Sequence, residues 1–129
     1  MSVNKKVLIV TDETESIQLI AKSIMSALTD YTVIIRCGDK FAGTDLLPTD
    51  TFFIGCGKPN PVSFTYLTEM LAHINLADRK CGIFSTNEKS IKYLRKILKD
   101  CEAGIDELLL TEGGKGHSAL IKKWLKGLI

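Results

Sequence analysis

No two cysteines in this 129-residue chain are spaced as C-x-x-C; Cys37, Cys56, Cys81 and Cys101 are scattered singly. That pattern excludes a zinc ribbon and gives no disulfide framework, so free thiols are expected. Glycine and proline are scarce, at ten and three residues. No flexible linker, repeat or low-complexity segment interrupts the chain, and one domain over residues 1–129 is expected. Long apolar runs are also missing. The opening "MSVNKKVLIVT" has a basic start but a run of only four apolar residues before Thr11, too short for a signal core or a membrane span. The expectation is a cytoplasmic protein with no membrane association. Neither sign of charge dominates: 17 basic against 15 acidic residues leave a net charge of +2, which gives no overall field to attract nucleic acid. What remains is a chain 45% hydrophobic and 25% charged, the composition of an ordinary globular domain that buries its own core.

The hydrophobic period switches repeatedly between two and 3.6. "KVLIV" reads as a strand, followed from about Glu15 to Leu28 by Ile17, Ile20, Ala21, Ile24 and Leu28 at helical spacing. "YTVIIRC" is a second strand, and "GDKFAGTDLLPTD" has room for a turn or two of helix around Phe41 to Leu47. After the strand "TFFIGC", Asn60 is placed to cap a helix that opens at Pro61 and runs through Phe64, Leu67, Leu71 and Ile74. The strand "KCGIFST" precedes "EKSIKYLRKILKDC", for which Ser85 and Glu88 form an S-x-x-E capping box. Ile91, Leu94, Leu98 and Cys101 fall on the inner face of that segment; Lys89, Lys92, Lys96 and Lys99 form an outer stripe that reads as a solvated face. "DELLLT" is the fifth strand, and "EGGKG" leads to a last helix with Leu120, Ile121, Trp124, Leu125 and Leu128 as its apolar stripe.

Strands alternating with helices over short connections predict an α/β domain with a parallel sheet covered on both faces. Strand order 2-1-3-4-5 and a Rossmann-type half both satisfy the pattern, and both place ligands at the carboxyl ends of the strands. The loops there are 11–16, 56–60 and 85–88. No nucleophile–base pair or metal constellation marks a stand-alone catalyst: His73 and His117 have no partner pattern, and "EGGKGHS" lacks the spacing of a phosphate-binding P-loop. Cys56 ends the third strand at the same crevice.

The segments "VLIVTDETESIQLIAKSI", "DTFFIGCGKPNP", "LADRKCGIFST" and "IKKWLKGLI" together resemble a short-chain flavodoxin over nearly the whole chain. The resemblance implies a flavodoxin-like three-layer sandwich with a five-stranded parallel sheet in order 2-1-3-4-5. It also implies FMN held noncovalently, electron transfer, and a redox or regulatory protein partner. Carried onto this sequence, the phosphate loop supplies Thr11, Thr14 and Ser16. The ring would be flanked by Cys56, Gly57, Lys58, Pro59 and Asn60, and by Ser85, Thr86 and Asn87.

The sequence departs from that family in the same loops. The flavodoxin pattern T/S-x-T-G-N-T has no glycine counterpart in Thr11-Asp12-Glu13-Thr14-Glu15-Ser16. A carboxylate about 6 Å from a phosphate charge, at an effective dielectric of about 20, costs roughly 3 kcal/mol, about a hundredfold in affinity, unless it turns outward. No aromatic stands in "GCGKPNPVSF" before Phe64, and "STNEKS" lacks the family's stacking tyrosine. Asp12-x-x-Glu15 is also a plausible capping box. The alternative expectation is therefore a flavodoxin-fold domain that has lost flavin binding and serves as an interaction or regulatory module. A phosphorylatable receiver domain, which shares the strand order, is excluded by Gly55-Cys56 where it needs an acceptor aspartate.

Overall fold

A computed structural model of the chain describes residues 5–40, 42–46, 49–110 and 118–128. Its strands are β1 (Lys5–Thr11), β2 (Tyr31–Cys37), β3 (Thr51–Gly55), β4 (Lys80–Ser85) and β5 (Gly104–Leu109). The helices are α1 (Glu15–Ala27), α2 (Gly43–Leu46), α3 (Thr65–Leu71), α4 (Glu88–Leu98) and α5 (Ser118–Leu128), with a single 3-10 turn at Val62–Phe64 before α3. The strands form one parallel sheet in the order β2-β1-β3-β4-β5. This is the flavodoxin-like order; the Rossmann-type alternative is set aside.

The inner strands β1, β3 and β4 are buried on both faces, which is why their sequences read as unbroken apolar runs. Alternate side chains feed two cores. Leu8, Val10, Phe52, Ile54, Cys81 and Ile83 meet Phe64, Leu67 and Leu71 of the α3 region and Ile91, Leu94 and Leu98 of α4. On the opposite face Val7, Ile9, Phe53 and Phe84 meet Ile17, Ile20 and Ile24 of α1 and Ile121, Leu125 and Leu128 of α5. Each of these side chains contributes roughly 1.5–3 kcal/mol by leaving water. Neighbouring β3 and β4 interlock on the second face. Phe53 pairs in register with Gly82, and Gly55 with Phe84. A Cβ at Gly82 would come 2.6 Å from the Phe53 ring and 2.8 Å from Trp124, and one at Gly55 would come 2.2 Å from the Phe84 ring. Trp124 stands edge-on to Phe53, with ring centroids 5.5 Å apart.

Several boundaries differ from the sequence expectation. α4 is capped by Asn87, whose side chain accepts the Ser90 N–H at 2.9 Å. The Ser85 hydroxyl instead donates to the Cys56 carbonyl at 2.6 Å, so the Ser85–Glu88 capping box does not form. α4 also ends at Leu98, and Cys101 is buried in the turn beyond it. Asn60 does not cap a helix: it takes a left-handed conformation with φ of 53°. Pro61 is extended and precedes the 3-10 turn; α3 then ends at Leu71, leaving Ile74 outside it and His73 in an exposed turn. The short second helix is limited to Gly43–Leu46. Phe41, Leu47, the "EGGKG" loop and His117 lie outside the described residues.

Candidate functional site

Parallel strands deliver the ends of β1, β3 and β4 side by side, and three loops meet there. In the first, Thr11 is buried at the end of β1, and the carboxylate of Asp12 is fully buried just beyond it. A buried carboxylate must have its oxygens satisfied. Asp12 Oδ1 accepts the Thr14 N–H at 3.1 Å, and its Oδ2 accepts the Thr14 hydroxyl at 2.9 Å and the Gly57 N–H at 3.0 Å. The Asp12–Glu15 capping box is therefore replaced by a tighter local turn. Thr14 occupies the N-cap position of α1, but its hydroxyl is turned to Asp12 and caps nothing. The backbone N–H groups of Ile17 and Gln18 reach the Thr14 carbonyl, and the Gln18 side chain reaches the Asp12 carbonyl. Glu13 and Glu15 face solvent, and Ser16 is half-buried in the first turn of α1.

The second loop is tied to the third. Ser85 holds the Cys56 carbonyl, and Asn87 Nδ2 donates to the Gly57 carbonyl at 2.9 Å. Gly57 is thus fixed from both sides, its N–H by Asp12 and its carbonyl by Asn87. A Cβ at Gly57 would come 2.5 Å from the Thr14 side chain, so only glycine lets these loops approach so closely. Lys58, Pro59 and Asn60 are exposed beyond this junction, and Thr86 is half-buried beside it.

The structure therefore brings together Thr11, Thr14, Gly57, Ser85 and Asn87, with Asp12 at their centre. Sequence reasoning placed Asp12 in the loop but read it as a helix cap. Cys56 is close in sequence but its thiol is elsewhere: it is fully buried in the core beneath α3 and α4. Burial first, and then the nearby Asp12 charge, push that thiol up to about 12, so it is a protonated packing group rather than a nucleophile. Tyr93, half-buried in the same region, is likewise pushed up to about 12 by burial and by Cys56. Cys37, half-exposed at the end of β2, has its thiol 3.8 Å from Glu13 Oε1. Burial first, and then Asp39, raise its pKa.

FMN binding in such a crevice needs backbone N–H groups that converge on a phosphate, and a slot for the flavin ring. Here the Thr14 N–H of the phosphate loop already points at an internal carboxylate, and the Gly57 N–H of the ring-side loop points at the same group. The space between residues 14 and 57 is too narrow even for a Cβ at Gly57. Among residues 56–60 and 85–87 none is aromatic, and Phe64, the first aromatic after the β3 loop, is fully buried in the core, where a Cβ at Gly38 would come 2.4 Å from its ring. The loop residues do not fit FMN in this arrangement.

No family model and no curated protein sequence matches the chain. Solved structures do. A short-chain flavodoxin associated with a PDU bacterial microcompartment superposes with a TM-score of 0.79 at 13% identity, over 98% of this chain and 97% of that one. The flavodoxin of Streptococcus pneumoniae TIGR4 gives 0.80 at 14% identity, over 95% and 96%. Oxidised flavodoxin 2 from Bacillus cereus gives 0.74 at 17% identity, over 95% and 97%. The described residues have the flavodoxin-like fold. None of its described helices is long and apolar enough to cross a membrane.

Proposed function

We propose that this chain is a flavodoxin-fold interaction module that works without FMN, regulating or scaffolding a protein partner rather than carrying electrons. The observation that supports this reading is the Asp12 carboxylate, seated on the N–H groups of Thr14 and Gly57. In this reading it takes up the Thr14 N–H, a donor of the loop that the flavodoxin pattern gives to a phosphate, and supplies negative charge internally. Substitution by a real phosphate would place two anions on one set of donors, or require Asp12 to leave a fully buried position.

A second reading, electron transfer by noncovalently bound FMN, draws on one feature of the same loop. α1 begins without a side-chain cap and carries Ser16 in its first turn, and an uncapped helix start favours an anion. In that reading Thr11, Thr14 and Ser16 hold the phosphate, and the 56–60 and 85–87 loops flank the ring. The flavin would supply one-electron chemistry, and the residues of these loops would only bind and orient it.

Titration of the purified, flavin-stripped chain with FMN, followed by quenching of flavin fluorescence, separates the two. The expected result is no saturable quenching by the wild type. Saturable quenching by the wild type overturns the FMN-free reading and makes electron transfer the function to pursue. Binding gained only by Glu15→Gly or by an Asp12→Thr/Glu15→Gly double variant identifies the acidic loop as the block.

A further inference from the structure

We propose that the groove between α4 and β5 docks an acidic segment of a partner protein, carrying at least one apolar residue. The inference rests on the reading of this chain as an interaction module and gives the chemistry of its partner. α4 buries Ile91, Leu94 and Leu98 and leaves Lys92, Lys96 and Lys99 exposed. At 1.5 Å per residue these three ammonium groups mark a row about 10 Å long.

β5 closes the sheet at this side, and among the described residues no strand pairs with its outer edge. The Gly104 and Leu110 N–H groups bond to the Arg79 and Ser85 carbonyls of the β4 side. By alternation, the backbones of Ile105, Glu107 and Leu109 point outward. Leu108 is buried on the α5 side, so the side chains of Ile105, Glu107 and Leu109 lie on the α4 side. Ile105 is 38% and Leu109 40% exposed. Between this strand and the lysine row runs a groove of about 890 Å³.

Its charges are arranged unequally. Arg95 holds both carboxylate oxygens of Glu107, which lowers the Glu107 pKa through that hydrogen bond and cancels the two charges against each other. That leaves the three lysines dominating this side, because Asp106 by the same alternation lies on the α5 face, its Oδ2 3.9 Å from where a Cβ at Gly127 would stand. Asp106 itself accepts the Glu107 N–H at 3.0 Å. That bond closes the centre of the strand edge to pairing by another strand. A second copy of the chain is disfavoured on two grounds, because it would meet the capped edge and would set lysine row against lysine row. Nucleic acid would meet the lysines but would have no use for the exposed Ile105. An acidic segment places its carboxylates on Lys92, Lys96 and Lys99 and its apolar residue on Ile105.

The test is fluorescence anisotropy of the full chain with a fluorescein-labelled peptide of glutamates interrupted by leucines. Saturable binding is expected, weakened about tenfold or more by K92E/K96E/K99E and by rising salt. Ile105→Ser should cause a several-fold loss that persists at high salt. All four positions are exposed, so circular dichroism should show unchanged folding. Failure to saturate, or binding indifferent to the lysine reversal, would overturn the proposal. So would tighter binding of a polyuridylate of equal charge, or a dimer in sedimentation that the reversal dissolves. FMN titration of the same preparations reports on the functional reading separately, because the groove lysines lie outside the loops that would hold the phosphate.

Discussion

The carboxylate of Asp12 and the backbone N–H of Gly57 meet at 3.0 Å, joining two loops whose residues lie 45 positions apart in the chain. Around that bond the β1, β3 and β4 loops form one continuous hydrogen-bonded unit through Thr14, Gly57 and Asn87.

Replacing Asp12 should expose the worth of this unit. Asp12→Ala strands two backbone N–H groups and the Thr14 hydroxyl in a water-poor site, and is expected to cost about 2–4 kcal/mol. Asp12→Asn keeps an acceptor but loses the charge and one acceptor oxygen, and should cost about 1–2 kcal/mol. Urea denaturation of the two variants checks the order. An Asp12→Ala protein as stable as the wild type would remove Asp12 from the account of this junction.

How much of this was legible in the sequence depends on distance along the chain. The alternation of strands and helices and both cores follow from patterns confined to short windows, such as Ile17, Ile20 and Ile24 on α1 or Leu94 and Leu98 on α4, whereas the strand order rests on the family resemblance, since those patterns also fit a Rossmann-type half. The role of Asp12 follows from neither, because one of its partners belongs to another loop and an acid before a helix reads as a cap. The same holds for Ser85. Its position suggests capping of α4, but the Cys56 carbonyl on the neighbouring strand claims its hydroxyl, and the cap passes to Asn87. At Asn60 the failure is conformational: a left-handed residue directs the chain away from the helix that Asn-Pro otherwise announces.

Asn87 serves two elements at once, capping α4 through Ser90 and holding the Gly57 carbonyl. Asn87→Ala is expected to lower stability by about 1–2 kcal/mol. Asn87→Ser keeps a capping oxygen at the head of α4 and loses the bond to Gly57, and should leave a smaller deficit. Chemical denaturation of the pair resolves the two contributions.

Alkaline pH should destabilise the fold through Cys56 and Tyr93. Both have folded pKa values raised to about 12, from ordinary values of 9.0 and 10.0. The unfolded chain therefore releases these protons first. The stability is fully present below pH about 9 and falls as pH rises toward about 12. Denaturation midpoints across that range should decline less steeply in Cys56→Ala, whatever its lower starting stability. An unchanged slope would place the titrating group elsewhere.

Gly82→Ala should be costly despite its single added methyl, because the Phe53 ring and Trp124 already fill that space. A loss of about 1–3 kcal/mol is expected, with a shifted emission maximum from Trp124, the one tryptophan of the chain. Phe53→Leu in the same background should recover part of the loss, read as coupling in a double-mutant cycle.

The crossed pairing of Phe53 with Gly82 and Gly55 with Phe84 also binds the history of the two strands. Sliding β3 along β4 by two residues keeps every side chain on its face, yet it would bring Phe53 level with Phe84 or leave Gly55 level with Gly82. One alignment overfills the layer beneath α1 and α5 and the other hollows it. Neither glycine can enlarge unless the ring facing it shrinks, and at Gly82 Trp124 must give way too, so each glycine is free to drift only together with its ring.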